Sequence, residues 1–204
     1  MLRERIALYV KNDELSSASF DYYGLTNDPI LRSFFSEVLR LKASVWGFRL
    51  CIEDAVLPVG GKEYFFKKGT TIWVPVPIVH RDEEIYEKPE EFEPYRFLKI
   101  ENDGKMTKKV MFKKNGKQTR LAHLPFGGGK SMVFRAVDVL IQCPGRNLSR
   151  AIVITYAATF LHFFDIELLA PLPQIRPSDR FGLGVELPVE SLPARFKLRQ
   201  MRTQ

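Results

Sequence analysis

The length and composition of the chain are those of one folded domain. It has 204 residues, of which 45% are apolar, so it can bury a hydrophobic core and is not expected to be disordered. Its longest apolar run, residues 151–164, is shorter than the roughly 20 residues that span a bilayer. The opening residues carry mixed charge and do not resemble a secretory signal. Two distant cysteines, Cys51 and Cys143, indicate neither a disulfide framework nor a structural zinc site.

Within a chain of net charge +7, two segments of opposite sign nearly cancel each other. Residues 82–93 hold seven acidic side chains and one lysine, whereas residues 99–120 hold eight basic and two acidic side chains. The basic segment contains turn-forming residues, which is typical of a solvated loop or hairpin; a docking patch for an acidic partner is the second interpretation. Nucleic acid is not expected as a partner, because the segment has no binding motif and no aromatic residues at stacking spacing.

In chain order, the first element is predicted to be a weak helix and linker over residues 1–28. Asp28 and Pro29 then form a helix start, and apolar side chains at helical spacing predict a helix over residues 29–42. Short β-rich segments separated by proline and glycine follow, and they predict hairpins; these segments are residues 45–52, 62–67 and 70–76. The acidic segment is predicted to be an irregular meander.

A second long helix is predicted over residues 144–164, with Cys143 at its capping position. Its register indicates one apolar face, made of Leu148, Ile152, Tyr156, Phe160 and Phe163. Proline and glycine then divide the C-terminal part into strands and turns. The fold class predicted from this order is α+β, with residues 29–204 in one domain.

Glu37 and Arg40 are three positions apart on one face of the first long helix. On spacing alone, an exposed ion pair is the favoured interpretation. The dense apolar residues around the pair instead favour burial, which requires a further polar partner for the guanidinium. Arg96, just after the acidic segment, is the candidate third member, although an exposed arginine is its simplest interpretation.

The glycine-rich run at residues 124–132 suggests two phosphate-binding interpretations, and both fail. A Walker loop requires glycine at Leu124, and a dinucleotide fingerprint requires glycine at Met132. The run fits better together with Cys143, because glycines allow a flat ligand to approach the backbone and Phe126 can cover it. A cysteine thiolate at a helix start meets the requirement of a haem-thiolate site. A buried inert cysteine is the alternative for Cys143 alone.

The order of these motifs resembles the C-terminal half of cytochrome P450, from about residue 28 to residue 199. The motifs that carry the resemblance are Glu37-x-x-Arg40, Pro94-x-Arg96-Phe97, Phe126-Gly127-x-Gly129 and Cys143-Pro144-Gly145-Arg146. The run Leu39-Arg40-Leu41-x-Ala43-Ser44 followed by Arg49 is similar to the branch of the sterol 7α-hydroxylases, prostacyclin synthase and related fungal enzymes. The resemblance implies that this chain is the C-terminal portion of the P450 fold, without its distal lobe.

The resemblance also implies roles for individual residues. Cys143 would ligate the haem iron, and Glu37, Arg40 and Arg96 would form a buried triad beneath it. The implied haem contacts are Arg49, Phe126, Gly127, Gly129, Lys130, Cys143 and Arg146. The implied lining of the substrate pocket is Val45, Trp46, Phe48 and Phe181.

The implied function is a haem-thiolate monooxygenase that uses haem b, O₂ and electrons from an NADPH-dependent flavin reductase to oxidise an apolar, sterol-like substrate. The reductase would dock at the basic proximal surface, to which lysines between Lys99 and Lys117 contribute. The family setting implies the cytosolic face of the endoplasmic reticulum, with membrane association through an N-terminal anchor that this chain lacks. Two other hypotheses stay open: a non-catalytic P450 remnant that does not hold haem productively, and a basic binding module without a cofactor.

Residues 133–142 depart from the family pattern, because members place the cysteine directly after the position of Met132. Ten extended residues can span about 33 Å, so the glycine loop and Cys143 are not required to share a haem face. The apolar insert could also extend the helix backward and bury Cys143 within it. The composition of the insert fits translated splice-site sequence, which sequencing of the transcript tests. The family's distal helix, with its proton-delivering acid and alcohol, is also missing.

Overall fold

The structure is a computed structural model that describes residues 2–12, 19–100, 106–107, 110–119, 122–127, 143–171, 184–185 and 191–199. The helices in these ranges are α1 (Leu2–Ala7), α2 (Tyr22–Asn27), α3 (Pro29–Lys42), α4 (Val76–His80) and α5 (Arg146–Phe163). The strands are β1 (Val10–Asn12), β2 (Ser19–Phe20), β3 (Trp46–Leu50), β4 (Ala55–Val59), β5 (Lys62–Phe66), β6 (Thr71–Pro75), β7 (Lys99–Ile100), β8 (Met106–Thr107), β9 (Phe112–Lys114), β10 (Lys117–Thr119), β11 (Phe164–Leu168) and β12 (Ala194–Leu198).

Helix α3 begins and ends where its sequence predicts. The Asp28 carboxylate accepts hydrogen bonds from the backbone N–H groups of Ile30 and Leu31, and Pro29 occupies the first helical turn, where no N–H is needed. The helix ends at Ala43, whose extended backbone leads into β3. The predicted helix over residues 29–42 is therefore confirmed.

Of the prediction for residues 1–28, the weak helix is confirmed by the short helices α1 and α2, whereas the linker is wrong for the described part of that segment. Residues 2–12 and 19–27 form α1, α2 and the β1–β2 pair, and Ile6, Phe20 and Leu25 are buried in the main core. These elements are short, so their apolar residues show no long period. They are stabilised by burial against α3 and α5 and not by intrinsic helix propensity.

Helix α5 crosses this core, but its start and its buried face both differ from the prediction. It begins at Arg146 with Gly145 at the cap, so Cys143 precedes the cap and does not occupy it. Ile154, Ala158 and Phe163 are its buried apolar residues; of the predicted apolar face, Phe163 is buried, whereas most of the rest is exposed. Leu148, Ile152 and Tyr156 are each more than half exposed. The helix is apolar on several sides, so periodicity alone does not tell which side is buried.

Six separate two-stranded antiparallel sheets make up the β structure of the described residues. Strands β3 and β6 pair in register from Trp46–Pro75 to Leu50–Thr71, and β4 and β5 form a hairpin across Gly60-Gly61. Both glycines have positive φ, as a tight two-residue turn requires. The predicted strands at 45–52, 62–67 and 70–76 are confirmed within a few residues, whereas β4 and the one-turn helix α4 were missed. Helices packed together with small sheets confirm the α+β fold class.

We predict that replacing Asp28 with alanine destabilises the helical core by about 2–4 kcal/mol. The buried carboxylate caps α3 and also accepts hydrogen bonds from Arg5 and from the Tyr9 hydroxyl, so alanine removes the cap and leaves both donors unpaired. Urea unfolding measures the loss. Asp28→Asn is the matched control: it keeps an oxygen for the cap and should cost less. Equal stability of Asp28→Ala and the wild type would contradict this role.

Candidate functional site

The Glu37 carboxylate lies at the centre of a fully buried polar cluster below α3. It receives two hydrogen bonds from Arg40, at 2.8 and 2.9 Å, and one from Arg96 Nε at 3.0 Å. The backbone N–H of Glu93 adds a fourth at 2.9 Å. The structure thus brings together the three predicted members Glu37, Arg40 and Arg96, and the Glu37–Arg40 pair is fully buried, not exposed.

Arg40 uses its guanidinium to join three segments of the chain. Besides Glu37, it donates to the carbonyl oxygens of His80, Pro89 and Glu91, at 2.8, 2.6 and 3.2 Å. These contacts supply an acceptor for each of its five N–H donors, as a buried guanidinium requires. Helix α3, the end of α4 and the meander are therefore held by one side chain.

Arg96 closes the meander on itself. Its guanidinium donates to the carbonyl oxygens of Glu87, Lys88 and Glu91 as well as to Glu37. Burial alone would raise the pKa of Glu37, but the hydrogen bonds from Arg40, the Glu93 N–H and Arg96 outweigh it and hold that pKa below its ordinary value. Glu37 is thus an ionised acceptor between two cations.

Two histidines that sequence reasoning missed extend this cluster. His80 is fully buried; its Nδ1 lies 3.1 Å from the Arg40 carbonyl oxygen, and its Nε2 accepts the Leu124 N–H at 2.8 Å. Because a carbonyl can only accept, Nδ1 carries the proton and the ring is neutral. His123 stacks on His80 with ring centroids 5.4 Å apart and bonds the Ser36 carbonyl through Nε2.

Burial is the main reason that both histidines stay neutral. It lowers the pKa of His80 to about 3, helped by the charges of His123 and Arg40, and it lowers the pKa of His123 to about 4. Tyr86, also missed, lies beneath both guanidiniums and donates its hydroxyl to the Ala122 carbonyl at 2.7 Å. Nothing in the spacing of these three residues links them to the triad, although His80 lies directly before the acidic segment.

Cys143 lies in the turn that precedes α5, with its side chain exposed. Its backbone N–H donates to the Phe126 carbonyl oxygen at 2.9 Å, and its own carbonyl accepts from the Arg146 N–H. The expectation that the insert could bury Cys143 within a helix is wrong. The possibility that residues 133–142 separate Cys143 from the glycine loop is also excluded for Phe126 and Gly127, since the hydrogen bond brings the two ends together.

The loop side of this junction has the backbone that its glycine predicts. Gly127 has a φ of 81°, a left-handed conformation that favours glycine, and its N–H bonds the Leu124 carbonyl. The Phe126 side chain packs against the core cluster formed by α1, α2, α3 and α5. The His80 contact to Leu124 therefore connects the buried polar cluster to the Cys143 turn through a few residues of backbone.

The other predicted site residues are distributed along β3 and the C-terminal turn. Arg49 is exposed on β3, and the rings of Trp46 and Phe48 lie 6.0 and 6.2 Å from Trp73 across the β3–β6 pair. Val45, directly before β3, is partly exposed. The Ser44 N–H bonds the Gly184 carbonyl, so the end of the predicted pocket turn reaches the start of β3. Gly129, Lys130, Phe181 and the insert lie outside the described residues.

Arg146 lies on the first turn of α5, and its side chain lines a polar cavity with Arg32 and Arg150. Cys143 is not among the residues that line this cavity. A separate apolar groove lies between α1, α3 and α5, with Phe34, Val38 and Val153 among its walls.

The described ranges contain neither a cluster of metal ligands nor a membrane-spanning helix. In those residues, no group of three or more His, Cys, Asp or Glu side chains is placed to hold a metal ion. None of the helices found there has the length and apolarity to cross a membrane.

The chain is similar to known proteins in both sequence and structure. A family model described as Cytochrome P450 matches residues 1–192. Human 7-alpha-hydroxycholest-4-en-3-one 12-alpha-hydroxylase is 32% identical over 187 residues, covering 89% of this chain and 34% of that protein. Prostacyclin synthase of Bos taurus is 32% identical over 179 residues, covering 86% and 33%. The retinoic acid bound cyanobacterial CYP120A1 superposes with a TM-score of 0.66 at 26% identity, covering 97% of this chain and 39% of its own.

The chain belongs to the cytochrome P450 family. The resemblance to this family is confirmed, and the curated relatives include sterol hydroxylases and prostacyclin synthase, as the motif order predicted. The α+β arrangement of helices, small sheets, meander and cysteine turn corresponds to part of the P450 fold. The chain spans about a third of the length of the curated relatives it matches.

We predict that Glu37→Gln destabilises the chain by about 3–5 kcal/mol, because it leaves two buried guanidiniums without a counter-charge. Chemical denaturation monitored by tryptophan fluorescence measures the change. Glu90→Gln is the matched control: Glu90 is 72% exposed and pairs only with Arg81 among the described residues, so its loss should cost less than about 1 kcal/mol. Comparable losses in the two variants would show that the buried cluster has no special role.

We also predict that acidification destabilises the fold well before carboxylates titrate. His80 and His123 have lowered pKa values in the folded chain, about 3 and about 4, against 6.5 for an unperturbed histidine. Between pH 6.5 and about 4 the unfolded chain binds more protons, so stability is present above pH 6.5 and falls as the pH falls through this window. Unfolding free energies measured at several pH values give the slope. His123→Gln should lower the proton uptake by about one; an unchanged slope would contradict the assignment.

Proposed function

We propose that the chain forms the thiolate-bearing section of a haem monooxygenase, with Cys143 as the axial ligand of the iron. The observation that carries the proposal is the backbone bond between Cys143 and Phe126, which sets an exposed sulfur beside the glycine loop at the start of α5. The P450 family uses this kind of ligand, a cysteine thiolate, to donate electron density to the iron.

The residues present fit a haem on the grounds of their chemistry. The Cys143 side chain is exposed and lies before the first turn of a helix without a side-chain cap, so its sulfur is accessible to a ligand. At Gly145 an added Cβ would lie 3.6 Å from the Cys143 sulfur, so glycine keeps the space beside the sulfur open. When bound, haem b would supply the oxygen-activating chemistry of the family.

Other residues of this chain would hold the group and exclude water from it. In the proposal, Phe126 covers the sulfur side of the group, and Gly127 and Gly129 allow the backbone to approach it. Arg49 and Lys130 provide cations for its carboxylates, and Val45, Trp46, Phe48 and Phe181 contribute to the substrate pocket. The prediction that Arg146 contacts the haem stays a prediction, since its side chain lines the polar cavity.

The substrate and the electron donor follow from the relatives and remain part of the proposal. The names of the human and bovine relatives describe a sterol hydroxylase and prostacyclin synthase, and they support an apolar, lipid-like substrate. An NADPH-dependent flavin reductase is the proposed donor, docking through the basic segment that includes the β9–β10 hairpin with Lys113, Lys114 and Lys117. The cytosolic face of the endoplasmic reticulum is the proposed location.

We predict that the chain expressed with haem gives, after reduction and addition of carbon monoxide, the shifted Soret band of a thiolate-ligated haem. Cys143→Ala should abolish this band, whereas Cys51→Ala, the matched control at the other cysteine, should leave it in place. A band that persists in Cys143→Ala would overturn the ligand assignment. Failure of the wild-type chain to retain haem would favour the alternative, a P450 section that does not hold the cofactor productively.

A further inference from the structure

Three arginines converge on one cavity at the junction of α3, the glycine loop and α5. The cavity has a volume of about 230 Å³, and its polar lining includes Arg32, Arg146, Arg150, Asn147 and Ser36. Among the described residues that line it there is no aspartate or glutamate. Phe126, Gly127 and Arg146, which the haem proposal also uses, are among its lining residues, whereas Cys143 and the Glu37 triad are not, so the cavity adjoins the proposed haem site.

One guanidinium in this cavity, that of Arg150, is incompletely satisfied. Nε of Arg150 is buried and has no hydrogen-bond partner among the described residues, although its Nη2 donates to the Asn147 side chain at 3.3 Å. Arg32 donates to Asn27, and for Arg146 the described ranges contain no ion pair. A buried donor without a partner costs free energy unless a ligand or water meets it.

Electrostatics make the cavity attractive to an anion. Burial and the neighbouring charge of Arg150 together lower the pKa of Arg32, which shows that positive charges are held close to each other without compensation. Arg146 and Asn147 also form the first turn of the 18-residue helix α5, which has no side-chain cap, so the helix dipole adds positive potential. Arg146 and Asn147 are exposed, and they leave the cavity open to solvent.

We infer that this cavity, bounded by Arg32, Arg146 and Arg150, binds the dianionic phosphate group of a phosphate monoester. A carboxylate presents two oxygens, which one guanidinium satisfies, whereas a phosphate monoester presents three terminal oxygens and about two negative charges. Three guanidiniums match the phosphate monoester both in the number of hydrogen-bond donors and in charge. The soluble ester and the monoester headgroup of phosphatidic acid share this chemistry.

The first experiment titrates the full chain with phenyl phosphate at constant ionic strength, followed by calorimetry. We expect saturable binding with a Kd on the order of 1 mM, and weaker binding as the pH falls below about 6, where the monoester loses its second charge. Acetate at the same ionic strength should not compete. Absence of saturable binding, or equal competition by acetate, would overturn the inference.

Variants test whether these arginines form the site. Arg150→Gln and Arg146→Gln should each weaken phenyl phosphate binding about tenfold, the loss of one charge-assisted contact. Arg195→Gln is the matched control, because it removes the same charge at an exposed residue paired with Glu167 and should change the affinity less than about twofold. Arg146 is exposed and makes no described side-chain bond, so its variant keeps the test valid if Arg150→Gln fails to fold. An unchanged affinity in Arg146→Gln would overturn the site.

The source of the phosphate is distinguished with vesicles. The chain is floated with phosphatidylcholine vesicles that contain phosphatidic acid, and with phosphatidylcholine vesicles alone. If the chain binds the vesicles that contain phosphatidic acid, and if Arg146→Gln abolishes this binding while Arg195→Gln preserves it, the cavity is assigned to a lipid headgroup. Binding of phenyl phosphate without vesicle binding assigns it to a soluble ester. Neither experiment requires haem, so both stand apart from the proposed function.

Discussion

The attraction between one buried carboxylate and two guanidiniums holds the three main parts of this chain together. Glu37 is on α3, Arg40 extends from α3 to the end of α4, and Arg96 belongs to the meander. Isolated from water, each of these charges would be strongly unfavourable, and only their simultaneous pairing makes burial tolerable. The cluster therefore forms as a unit or not at all, which makes it a device for fixing the arrangement of segments more than a source of net stability.

From this cluster, a path of hydrogen bonds and a short stretch of backbone leads to the cysteine turn. Arg40 bonds the His80 carbonyl, the His80 ring accepts the Leu124 N–H, and the Phe126 carbonyl two residues later accepts the Cys143 N–H. A neutral His80 is essential to this path, because a second ring proton would face the Leu124 N–H. The buried polar cluster and the proposed iron ligand are thus parts of one network and share the same requirement for a dry interior.

How much of this the sequence could predict depends on the range of the interactions. Helix α3 was predictable to the residue because Asp28 and Pro29 mark its start locally, and the order of Glu37, Arg40, Arg96 and Cys143 was sufficient to identify the family. The core role of residues 2–27 was not predictable, because burial against distant α5 decides it. The same holds for the buried side of α5, which only its neighbours in space select, and for His80 and His123, whose partners are far away in sequence.

The hydrogen bond between Cys143 and Phe126 has a consequence for the variation of this segment among related chains. It sets the separation of Phe126 and Cys143, so the position of the sulfur relative to Phe126 does not depend on the number of residues between them. Lengthening a loop two- to threefold adds only about 1 kcal/mol of closure entropy. At this point of the chain, a change in the number of residues is therefore expected to cost little, whereas a change at Phe126 or Cys143 is expected to move the sulfur.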